Sequence, residues 1–436
     1  MPSSTPSEIR QRYDPGMSTS ARRACAIGMA GWALLASCAP LPGRHHDQDP
    51  RLHERMGLPS RLMPPPARLA EVPPELRARL VASPIAFFRF VNQQWTREVC
   101  RAFASDVHNL PTVRLHGDAH VEQYAVTRTA RGLDDFDDSA SGPAIVDIVR
   151  FLGSLELTAG VRGWSSSLPV MVDAFFDGYR RALTHPAYLP ADPAVVVRLR
   201  EQPAMSARSF LAWADSLMHP LGPDDRLQFD RLWRRLEDVA PAAGAGFTPA
   251  FLARKSSGAL HLGIGSALTH KGLARVEGPS PALDDDEIVE VKAIAPLGRQ
   301  PCVTVSAEDE SYRVVQGLRQ IGRLEHRLVM VLPGSQDARP GQVGWWVKTW
   351  DRSYRELEVA DVASDDELRE IAHDVGAQLG STNVLASVSQ QAAMRRVERR
   401  RVVAHEARIR QVAHDLTAAL LEAWQSLGRP APPVVR

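Results

Sequence analysis

Apolar positions recur at helical spacing through "SPIAFFRFVNQQWTREVCRAF" (83–103), which predicts helix up to a short strand, "TVRLH", at 112–116. The same period in "LPVMVDAFFDGYRRALTH" (168–185) predicts a second helix. Glycine-punctuated "GALHLGIGSALTHKGLARVEG" and the alternating "EIVEVKAIAP" read instead as strands. In the latter, Val289, Val291 and Ala293 face one way, and Glu290 and Lys292 the other. "HRLVMVLP" and "QVGWWVKTW" predict two more strands joined by a turn-rich loop. From about residue 364 the pattern is mainly helical, with "RRVERRRVVAHEARIRQVAHDLTAALLEAW" as one long run. No internal repeat is visible. Helical segments, then a run of strands, then helical segments again predict an α+β protein.

At 436 residues the chain is long enough for two or three lobes with substantial cores. A formal net charge of +1 gives no global pull toward nucleic acid or an anionic membrane. The arginine cluster at 395–401 therefore reads as a solvated helix face, and no nucleic-acid partner is expected. The body of the chain contains no uncharged apolar span of the length a bilayer requires.

The N-terminus differs. Arg22 and Arg23 precede "ACAIGMAGWALLA", and Ser37-Cys38 follow, which is the outline of an export signal over residues 1–37. Leu35-Ala36-Ser37-Cys38 resembles a bacterial lipobox. It implies cleavage before Cys38, acylation of that cysteine, and an exported protein held at a membrane by lipid alone. Met17 is the better start, because it leaves a compact basic segment. The alternative is a cytoplasmic protein with an apolar N-terminal helix. Residues 38–76, rich in Pro and polar residues, predict a semi-extended tether, with His45-His46 a solvated linker pair. Cys100 and Cys302 pair only in an oxidising compartment, buried free thiols being the default.

Residues 113–150 hold six aspartates beside His116 and His120. A solvated acidic face is the plain reading of such density. Two chemistries also fit an Asp near a His with further Asp beyond. In a metallophosphoesterase, Asp118-x-His120 would supply metal ligands, but the expected later Asn-His pair does not occur in this chain. In phosphoryl transfer, one Asp orients or deprotonates the attacking hydroxyl, a second Asp and an amide hold magnesium, and a lysine steadies the phosphates. That pattern assigns Asp118, with His120 beside it, to catalysis, Asp135 and Gln123 to the metal with Asp137 as a further ligand, and Lys292 to the phosphates. Asp147 is expected to brace the catalytic loop, and Arg89 and Arg150 to act as structural partners of the carboxylates.

"HGDAHVEQ…DFDDSASGPAIVD" resembles the catalytic half of the aminoglycoside-phosphotransferase and protein-kinase-like superfamily. "SPIAFFRF", "DDFDDSASGPAIVDIVRF", "GIGS", "EVKAIAP", "RVVQGLRQI" and "VKTWD" more closely resemble the bacterial family known as domain of unknown function 2252, over roughly residues 75–425. The resemblance implies a two-lobe kinase-like fold, circularly permuted, because the catalytic loop precedes the lysine strand. It implies a helical lobe over 77–250, a small β lobe over 251–360 and C-terminal helices over 361–436. It also implies Mg2+ and ATP as cofactors, an unknown small-molecule substrate, and Gly263, Gly265 and Ser266 as a phosphate loop. Two positions depart: Gln123 stands where the family carries Asn, and Asn383 where it carries His. Export would also place such a site where ATP is scarce. The expected activity is phosphotransfer, with a non-catalytic ligand- or nucleotide-binding lipoprotein as the alternative. Nothing in the pattern addresses oligomeric state.

Overall fold

The computed structural model describes residues 57–428 apart from 245, 262–263, 265–268, 306–309, 335–341 and 383–386. Cys38 with the expected leader, the first part of the tether, Gly263, Gly265, Ser266 and Asn383 lie outside the described residues. Over 57–76 the expected semi-extended tether is corrected. Three short helices, α1 (Leu58–Leu62), α2 (Pro66–Ala70) and α3 (Pro74–Ala82), each carry proline in the first turn, where its missing N–H is not needed. Leu62, Val72 and Leu76 are buried, and Arg61 pairs with Glu98 at 3.0 Å. Apolar residues between the prolines supply enough surface to dock.

The helical pattern at 83–103 forms two helices, α4 (Pro84–Phe90) and α5 (Asn92–Ala102). The Ser83 side chain caps the first by accepting from Ala86 N at 3.2 Å. Strand β1 (Thr112–Leu115) follows and pairs antiparallel with β4 (Ala140–Pro143); β2 (Tyr124–Val126) and β3 (Arg131–Leu133) form a hairpin between them. Next come α6 (Ile145–Arg162), α7 (Leu168–Thr184), α8 (Ala194–Glu201), α9 (Ala207–Ser216) and α10 (Pro223–Val239). A sheet is then built from β5 (Arg254–Ala259), β6 (Lys271–Val276), β7 (Glu287–Ile294), β8 (Val329–Pro333) and β9 (Gly344–Thr349). Helix α11 (Arg313–Ile321) lies between β7 and β8 in the chain. Strand β10 (Arg355–Glu356) joins β2, and α12 (Asp365–Ser381) and α13 (Gln391–Leu427) close the described chain.

The mixture is α+β. The five-stranded sheet runs β5-β6-β7-β9-β8, each neighbour antiparallel. One face of β7, Val289, Val291 and Ala293, shares a core with Phe229, Trp233 and Leu236 of α10. The β-rich part thus draws in a helix from before residue 250, outside the bounds expected for the β lobe.

The larger core unites α4–α7 with α12 and α13 through Phe87, Phe151, Phe175, Val375 and Leu416. Helices α7 and α12 approach at backbone contact: a Cβ at Gly376 would sit 2.1 Å from Phe175 O, and one at Gly178 equally close to His373 O. On α13, Arg396, Arg399, Arg400 and Arg401 are exposed, as a solvated face requires. Arg395 is buried instead and donates to Gly380 O and Ser381 O at 3.1 and 2.8 Å, satisfying the last carbonyls of α12. Among the described residues no helix is long and apolar enough to cross a membrane.

The default of free thiols is also corrected. Cys100 of α5 and Cys302, in the connection between β7 and α11, form a disulfide with Cα atoms 5.3 Å apart. It ties the stretch following the lysine strand to the helical core. Cys302→Ser should lower stability by about 2–4 kcal/mol in thermal or denaturant unfolding. Peptide mapping without reductant should recover Cys100 joined to Cys302; free, alkylatable thiols at both positions would contradict the pairing.

Candidate active site

Strand β1 delivers His116, Gly117 and Asp118 to the end of α6. Asp147, in the first turn of that helix, accepts from His116 N at 2.7 Å and Gly117 N at 2.9 Å. This is the loop brace its position led us to expect. Gly117 has φ +86°, and a Cβ there would fall 1.9 Å from Asp138 O. Only glycine lets the two segments pass so closely. Asn92 of α5 spans the junction, donating to Gly117 O at 2.9 Å and to Asp138 Oδ2 at 2.8 Å.

His116 joins the loop to the aspartate turn. Its Nδ1 accepts from Asp118 N at 3.3 Å, which leaves Nε2–H to donate to Asp134 O at 3.0 Å. Its ring lies 4.8 Å from that of Phe136.

Asp118 is buried and held by Arg150, whose Nε and Nη2 lie 2.9 and 2.8 Å from Oδ1. Burial alone would raise this carboxyl, but Arg150 and then His120 hold it well below the usual range. His120 lies 3.6 Å from Asp118, and burial pushes its own pKa down. The Arg150 guanidinium is in turn stacked 3.4 Å from the Phe88 ring centre. Arg89 pairs with Glu122 of the same loop, at 3.0 Å, and not with an aspartate.

The second group centres on residues 134–138. Asp135 sits at φ +61°, in the left-handed region that aspartate tolerates at some cost. Lys292 reaches from β7 to Asp135 Oδ1 at 3.2 Å and also contacts Asp137. Burial would lower Lys292, but Asp135 and Asp137 hold it above its ordinary value. The two carboxylates diverge: Lys292 keeps Asp135 low, whereas burial and neighbouring Asp135 push Asp137 up to about 7. Asp134 is met by Lys348 of β9 at 3.5 Å and His326 at 3.6 Å. Arg313 of α11 donates to the Asp137 carbonyl and, at 2.7 Å, to Ala295 O.

The structure thus brings Asp135, Asp137 and Lys292 into direct contact, and holds Asp118 and His120 as a separate pair tied to the turn through His116. Gln123 is buried, and its carbonyl accepts from Asp134 N at 2.9 Å, so its backbone abuts the turn. Among the described residues no three His, Cys, Asp or Glu side chains converge as metal ligands. Of the expected metal ligands, Asp135 and Asp137 are engaged by the Lys292 ammonium. Asn92, Arg313 and Lys348 were not singled out by sequence. Lys348 had a signal, since it alternates with Trp346 in "GWWVKT", but the register that puts it beside Lys292 is a property of the folded sheet.

Gly117→Ala should therefore destabilise the chain by at least roughly 1–2 kcal/mol from the backbone angle alone. An unchanged unfolding midpoint would mean that the loop does not pass the turn this closely. Asp137 gives a pH signature. It keeps its proton to about 7, against 3.8 for its ordinary value. Its contribution to stability is complete at about pH 4 and below, and is lost as the pH rises through 7. Asp137→Asn does not ionise, so its unfolding midpoint should gain on wild type between about pH 4 and pH 8; a constant difference would contradict the raised pKa.

No curated protein and no solved structure matches the chain. The segment that holds Asp118, His120, Gln123, Asp135 and Asp137 does have relatives, whereas the strand that carries Lys292 lies beyond the matched stretch. Over residues 68–210 the chain matches the model of a family described as an uncharacterized protein conserved in bacteria, DUF2252.

Proposed function

We propose that the junction of the five-stranded sheet and the aspartate turn binds a phosphorylated ligand with a divalent cation, and transfers a phosphoryl group to a small-molecule acceptor. The observation that carries this reading is Lys292 on the third strand of the sheet, reaching into contact with Asp135 and Asp137. A lysine on the third strand, followed by a helix and opposed by an Asp-Phe-Asp turn, is how kinase-like phosphotransferases face phosphates with an ammonium and a metal with a carboxylate. Here the catalytic loop precedes that strand in the chain, so the likeness requires circular permutation. One difference is plain: α11 supplies no glutamate to Lys292, and Asp137 takes that place.

The residues fit magnesium in part. Two adjacent carboxylates, one of them with a raised pKa, favour a cation between them, and magnesium ordinarily takes one or two carboxylates and completes its shell with water and phosphate oxygens. When bound, the ion would neutralise charge on the transferring group. With the aspartates so engaged, Lys292 is free to meet phosphate. Asp118, its proton affinity lowered by Arg150, suits orienting an acceptor hydroxyl better than carrying its proton.

That same Arg150 clamp favours a second reading, a module that binds the ligand without turnover. Ligand-induced thermal stabilisation separates the two. Magnesium with ADP at a hundredfold excess over its dissociation constant should stabilise the wild type by about 2.7 kcal/mol. Lys292→Met and Asp135→Ala should abolish that rise; stabilisation surviving in both would end the proposal. Asp118→Ala should keep the rise and lose phosphoryl transfer. If Gln123 is too long to reach the metal, Gln123→Asn should strengthen the magnesium-dependent rise. Binding with no transfer in wild type or Gln123→Asn would select the second reading.

We also propose that the protein is exported and acylated at Cys38. The Cys100–Cys302 disulfide supports this, since such bonds persist in oxidising compartments. Fractionation after fatty-acid labelling should place wild type at the membrane and release Cys38→Ala; unlabelled wild type in the cytosol would overturn it.

A further inference from the structure

Lysines 271 and 292 stand directly opposite each other on neighbouring antiparallel strands. Ala293 N donates to His270 O, so 270 and 293 form a hydrogen-bonded pair and 271 and 292 the closer, non-hydrogen-bonded one. Residues opposite each other in such a pair share a face of the sheet, at about 4.5 Å between Cα atoms. The face is fixed independently. Gly272, one residue on, turns its α-hydrogen side to α10, where a Cβ would meet the Phe229 ring at 2.5 Å. Lys271 therefore belongs to the opposite face, with Lys292, which reaches Asp135 and Asp137.

Like charges directly opposite one another destabilise a sheet. The crowding shows in Lys271 itself: burial, and next the charge of Lys292, lower it to about 8. Such a pair is tolerated where anions gather on the same face. Glu290, two residues before Lys292 on the same face, and Asp135 and Asp137, which both engage Lys292, provide that charge.

We infer that Lys271 is a second phosphate-binding lysine, and that the site selects ligands carrying two or more linked phosphoryl groups over monophosphates. The inference rests on the phosphate-binding reading above and names the ligand class of the same site. A single phosphoryl group is served by one lysine and the metal. Two ammoniums side by side on adjacent strands serve neighbouring phosphoryl groups of one phosphoanhydride.

Calorimetric titration of the full-length chain with magnesium and, separately, ADP, inorganic pyrophosphate and AMP tests it. Wild type should bind ADP and pyrophosphate at least about tenfold more tightly than AMP or orthophosphate, in line with the strength of one charged hydrogen bond. Lys271→Met, its fold checked by thermal unfolding, should lose that preference and leave AMP binding unchanged. Lys271→Arg keeps the charge and should retain most of it. Wild type that binds ADP, with Lys271→Met and Lys271→Arg both binding it equally well, would overturn the role of Lys271 alone. Wild type that binds none of the four probes would overturn the phosphate-binding reading together with it.

Discussion

One ion-paired contact decides how the parts of this protein act together: the ammonium of Lys292 between the carboxylates of Asp135 and Asp137. It brings a strand and a turn more than 150 residues apart in the chain to one point. A lysine with only 6% of its side chain exposed is costly to keep charged unless anions surround it, and the aspartates are costly without a cation. Each makes the other tenable. Breaking one side leaves buried charge unpaired, which is more damaging than replacing both.

The surroundings serve to hold the turn under that contact. Asp147 fixes the loop amides, His116 links loop to turn, Asn92 bridges Gly117 and Asp138, and Gln378 of α12 accepts from Leu133 N at 2.7 Å just before the aspartates. From the sheet side, Arg313 caps the Asp137 carbonyl, and the disulfide at Cys302 anchors the connection that follows Lys292. Left-handed Asp135 is tolerable because these neighbours determine its backbone from several directions. The backbone that carries the two partly exposed carboxylates is thereby fixed in advance of any ligand.

Much of this was legible in the chain. The alternation of "EIVEVKAIA" separates the face of Lys292 from the apolar face, and the fold buries Val289, Val291 and Ala293 against α10. Asp147 reads as a brace of the loop by hydrogen bonds, and it accepts from His116 N and Gly117 N. What sequence does not carry is register and core choice. Lys271 and Lys348 become neighbours of Lys292 only through cross-strand pairing, and α10 joins the sheet core from before the expected β lobe. The prolines of 57–76 suggest a spacer, yet Leu62 and Leu76 dock, because proline at a helix start is no obstacle to packing. The disulfide is likewise a matter of spatial proximity, not spacing.

In the proposed complex the aspartates hold a cation at the point where Lys292 meets phosphate. Manganese(II) in place of magnesium tests it directly through its effect on the phosphorus NMR lines of bound ADP. With wild type, protein-bound manganese should strongly broaden the lines of both phosphoryl groups. With the double variant Asp135→Asn, Asp137→Asn, the protein-dependent broadening should disappear. Phosphorus lines that stay unaffected by wild-type protein, or that broaden equally with the double variant, would contradict the account.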